Sequence, residues 1–192
     1  MKTTKNFDYA ITSRLPLILR GIFLVALGTS LFWINSNTTV NLLLPILLAL
    51  LAGISGLVFI QKNKIETVPK NWLMIESIAD IVLGLAFIYM QVNGENGIEN
   101  LRDVFAGFAI LFAFMQFTYM FQIAMTDFVN NTKVLLIRGL AAIGFGLFGA
   151  VLFMQANNEV LTFLINCIGV GPIITGIGCI FLIMYSFRKQ PQ

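Results

Sequence analysis

The sequence predicts an all-α, polytopic membrane protein of six transmembrane helices, built as three parallel helical-hairpin repeats. Three observations carry that expectation. Of 192 residues, 58% are hydrophobic and only 11% charged, whereas soluble domains are about a quarter charged. Apolar runs recur at the length of about 20 residues that a helix needs to cross a hydrocarbon core of about 30 Å. The polar breaks between them are short, which leaves no room for a soluble domain, so residues 1–192 read as one membrane domain.

The first span is expected over 15–34. Its apolar stretch is too long for a signal peptide, Arg20 interrupts it, and no small-residue cleavage pattern follows cleanly. The polar run Asn35-Ser36-Asn37-Thr38-Thr39 turns the chain into a second span, 40–60. A linker over 61–71 contains Pro69, and the third span follows over 72–92. Two glycines in 93–100 mark the next turn, before a fourth span at 101–124. The fifth span, 133–155, comes after a short polar break, and 156–159 leads to the sixth, 160–187. Pro172, with Gly169, Gly171, Gly176 and Gly178 around it, is expected to loosen or kink that last helix. The hairpins then cover about 15–61, 72–124 and 134–187.

Charge gives the expected direction. With six spans, eleven of the twelve Lys and Arg residues fall on the side of the two termini, and only Arg102 falls opposite, among Glu95, Glu99, Asp103 and Glu159. Positive charge stays inside, so both termini are expected in the cytoplasm. The isoelectric point of about 9.0 is then a membrane-orientation signature, not a nucleic-acid footprint. The expected partner is the lipid bilayer, with a homo-oligomer allowed and no nucleic acid.

The absence of His removes Ser-His and Cys-His nucleophile pairs and His-ligated metal sites. Cys167 and Cys179 lie twelve residues apart in one apolar segment. On a helix that is roughly 18 Å, beyond disulfide reach, and the spacing matches no zinc site. No phosphate loop or nucleotide fingerprint occurs. No catalytic residue, cofactor or metal is therefore expected, and the chain reads as non-enzymatic.

The first helix of each hairpin opens alike: Leu17-Ile18-Leu19-Arg20-Gly21, Leu73-Met74-Ile75-Glu76-Ser77 and Leu135-Leu136-Ile137-Arg138-Gly139. Eight positions after each charged residue stands a glycine: Gly28, Gly84 and Gly146. Gly21 and Gly28 return to nearly the same helix face, as do Ser77 with Gly84 and Gly139 with Gly146. Small residues on one face let a neighbouring backbone come close, so these three glycines are expected to pack helices. Ala49/Gly53, Ala52/Gly56 and Gly171/Thr175/Cys179 supply matching notches on the even helices. All odd helices run the same way, so the repeats should be related by rotation about the membrane normal.

Hairpin repeats with a Leu-Leu-Arg-Gly-like opening, a glycine one to two turns later and six spans over nearly the whole chain resemble the HdeD-like acid-resistance membrane proteins. The second repeat departs from that pattern, with Glu76-Ser77 in place of Arg-Gly, and the hairpin turns lack proline. The resemblance implies an inner-membrane protein that contributes to acid or envelope stress tolerance.

Four ionisable residues, Arg20, Glu76, Asp80 and Arg138, fall inside the expected spans. Each costs about 2.5–3.5 kcal/mol at a helix centre on the insertion scale. Glu76 and Asp80, four apart, project from one helix face about 6 Å apart along the axis. Three readings stay open at this stage: the arginines snorkel to the cytoplasmic interface; they pair with the carboxylates in a static cluster; or the cluster serves a small transporter or channel as a proton or ion site.

Overall fold

A computed structural model describes residues 14–32, 41–63, 67–94, 97–127, 132–155 and 158–187. Among the described residues all regular structure is helical: α1 (Leu15–Leu31), α2 (Leu43–Lys62), α3 (Thr67–Asn93), α4 (Ile98–Asp127), α5 (Thr132–Met154), α6 (Asn158–Ile168) and α7 (Val170–Phe187).

Local chemistry explains where the helices start and stop. At α2, the Asn41 side chain accepts the Leu43 N–H (3.0 Å) and Gln91 Oε1 accepts the Leu42 N–H (3.1 Å). Two of the amides that a helix start leaves without partners are thus satisfied. Pro45 sits in the same first turn, where a missing N–H costs nothing. Pro69 does the same in α3, so this helix begins at Thr67, inside the stretch expected to be a linker. At its other end Gly94 adopts φ 71°, the left-handed conformation that closes a helix and that only glycine takes without strain. The expected sixth span is two helices. Ile168 ends α6 and Val170 begins α7, with the Gly169 N–H turned back to the Asn166 carbonyl (3.1 Å). Pro172 falls in the first turn of α7, so the break precedes it by one turn.

Four stretches are long and apolar enough to cross a membrane: Leu43–Lys62, Lys70–Asn93, Glu99–Gln122 and Glu159–Ile180. Two further apolar helical stretches, Leu15–Leu31 and Gly139–Met154, are shorter. The surface supports the same conclusion. Met74, Ile78, Val82, Leu85 and Tyr89 line one exposed face of α3, and Leu136, Leu140, Ile143, Leu147 and Val151 one face of α5. Continuous exposed apolar stripes of this kind are a liability in water and the normal state in lipid. Ser55, Ser77, Thr118 and Thr175 each donate to the carbonyl four residues back in their own helix (2.5–2.9 Å), so these four hydroxyls are satisfied without solvent.

The described residues fall into two compact units. The first holds most of α1, nearly all of α2, α3 as far as Leu85, and α7. In it α1 has neighbours on three sides. Leu24 and Leu27 pack on Leu48, Ala49 and Ala52 of α2, with Leu83 of α3 against the cluster. Leu17 meets Phe59 of α2 and Cys179 of α7. Gly21 and Gly176 bring α1 and α7 together: a Cβ on Gly21 would stand 2.7 Å from the Gly176 carbonyl oxygen. A Cβ on Gly53 of α2 would stand 2.6 Å from the Ser77 carbonyl oxygen of α3. Pairing of 50 with 84 and of 53 with 77 and 81 makes α2 and α3 antiparallel.

The second unit comprises 30–43 and 86–169. Its centre is an antiparallel pair, α4 against α5, in which Gly149 faces Ala106 and Ile110, Gly146 faces Ala113, and Gly139 faces Met120. Phe112 and Phe145 cross edge to face at 4.7 Å between these helices, and Phe87 meets Phe105 at 5.6 Å. The Arg102 guanidinium donates to the Gln155 carbonyl (3.4 Å) near the start of α6.

The three repeat glycines are not used alike. Gly28 is buried in α1. A Cβ on Gly84 would press on Leu50 at 2.8 Å, whereas one on Gly146 would make ordinary contact with Ala113 at 3.6 Å. Replacing Gly84 with Leu is therefore expected to cost about 1–3 kcal/mol by overpacking. Gly146→Ala should leave the denaturation midpoint in detergent unchanged. Equal effects at the two positions would contradict these contacts.

Candidate functional site

The first unit gathers three of the four charges that fall inside the expected spans. Arg20 leaves α1 with only 1% of its side chain exposed. Its Nε and Nη2 both donate to Asp80 Oδ2, at 3.2 and 3.0 Å, and Nη1 donates to Glu76 Oε2 at 3.4 Å. The i, i+4 spacing sets this geometry: one turn of α3 places both carboxylates on the face that α1 meets. Asp80 takes the stronger share, with two charge-assisted bonds on one oxygen. Each carboxylate side chain keeps 19% exposure.

Small residues make the room. A Cβ on Gly56 of α2 would collide with Ser77 Oγ and stand 3.2 Å from Arg20 Cδ. Gly56 is thus the gap through which the arginine stem passes. Ser77 is fully buried, and its hydroxyl is engaged by the Leu73 carbonyl at 2.6 Å. At the position where the other two repeats carry Gly21 and Gly139, the second repeat tolerates this serine because its hydroxyl bonds within its own helix. Leu17, Phe59 and Cys179 close the apolar side.

This arrangement makes Arg20 a fixed link. A guanidinium sealed from solvent and bonded to two carboxylates holds α1 to α3. Breaking the link leaves a buried charge without its partner, which is far more costly than the intact cluster is stabilising. Of the residues singled out in the sequence, Arg20, Glu76 and Asp80 come together. Arg138 lies in α5, within the second unit, and its side chain is outside the described residues. Gly56 and Cys179 appeared in the sequence as packing notches, the first in the Ala52/Gly56 pair and the second in the Gly171/Thr175/Cys179 row.

Trp72, the first residue of the expected third span, is buried, whereas Tyr89 near its far end is exposed. Trp33 and the Asn35-Ser36-Asn37-Thr38-Thr39 turn lie outside the described residues. Among the described residues no group of three or more His, Cys, Asp or Glu could hold a metal ion. No known protein family, no curated protein and no solved structure matches the chain.

Proposed function

We propose that the chain is a non-enzymatic, six-span inner-membrane protein of the HdeD-like kind that contributes to acid or envelope stress tolerance. In this reading the Arg20–Asp80–Glu76 cluster is a structural clasp. The observation that carries it is the sealing of Arg20: the guanidinium is bonded to both carboxylates, with the Gly56 gap filled by its own stem. An ion path would need such charges to face an open polar cavity, and a substrate site would need the arginine within reach. The opening tetrads of the three first helices and the glycines that follow them support the family reading.

The test is growth and cytoplasmic pH of a deletion strain across an external pH series, with candidate solutes supplied. Loss of survival or of pH control at low external pH, independent of solute, is the expected result. A growth defect tied to one solute would replace this reading with that of a small transporter. Asp80→Asn gives a second separation. If the variant folds as the parent does yet loses the pH-dependent phenotype, the cluster works as a proton or ion site rather than a clasp.

The proposed topology has both termini in the cytoplasm, with α1 and α5 counted among the six spans. At 17 residues α1 reaches about 26 Å, somewhat less than the hydrocarbon core. Reporter fusions after Asn63 and after Asn96 are expected to report opposite sides, cytoplasmic for the first. The same side for both would overturn the six-span arrangement.

A further inference from the structure

We draw no further inference here: the strongest candidate, the buried Asn166 Oδ1 near the C-terminal end of α6, which has no hydrogen-bond partner, is a single polar atom, and no second observation in that unit points to a ligand for it.

Discussion

Asp80→Ala is expected to destabilise the protein by about 3–5 kcal/mol, because Arg20 keeps its burial and loses its main partner. Arg20 makes two of its three carboxylate bonds to Asp80. Glu76→Gln, which weakens a single 3.4 Å contact, should cost about 1 kcal/mol. The informative experiment is the double-mutant cycle, read by denaturant unfolding in a fixed detergent. Arg20→Leu with Asp80→Leu should recover most of what either single change loses, since an apolar pair of similar bulk replaces a desolvated ion pair at little cost. Strict additivity in that cycle would mean that the two charges do not stabilise one another.

The second large effect is expected at Gly176. A methyl group there would meet the Gly21 carbonyl oxygen, with Val25 N at 3.0 Å. Both are backbone atoms, which no rotamer change can move aside. Gly176→Ala should therefore cost about 1–3 kcal/mol, as overpacked cores do, even though Ala is the better helix former by about 1 kcal/mol. Gly178, two residues on, has nothing within 4 Å of its would-be Cβ, and Gly178→Ala should be neutral or mildly stabilising. The comparison holds the helix constant and changes only the neighbour. Equal midpoints for the two variants would show that α1 and α7 do not approach at Gly21.

Why some of this architecture could be read from the sequence, and some not, follows from the solvent. In lipid, the residues that face tails and those that face other helices are equally apolar, so the periodicity that reveals a buried face in water is flattened. Leu24, wholly inside, and Leu85, half-exposed, are the same residue type. Helix positions survive this loss because they depend on length and on polar breaks, and five of the six expected spans agree with single helices to within a few residues. The sixth divides at Gly169 because a glycine followed by Pro172 weakens one turn. Partner choice was legible only where residues differ in kind. Charge did it for Arg20 with Asp80 and Glu76, and small size for Ala49, Ala52, Gly53 and Gly56. The register of the repeat placed Arg20 and Arg138 on an equal footing, but a repeat specifies a helix and not its neighbours. The closest glycine contacts join α2 to α3, α1 to α7 and α4 to α5, all across the boundaries between the sequence hairpins.

Arg20 and its carboxylates are separated by 56 and 60 residues of chain. At synthesis rates of about 5–20 residues per second, Asp80 is made about 3–12 s after Arg20. For that interval α1 carries a cation without its eventual counter-charge. On the proposed topology Arg20 lies little more than one turn inside the cytoplasmic end of α1, so its stem can stretch to the interface while it waits. Snorkelling and pairing then become successive states of one side chain during membrane insertion. Arrival of α3 draws the guanidinium inward, and the order of synthesis becomes the order of assembly: α1 and α2 first, secured only when the third helix enters the membrane.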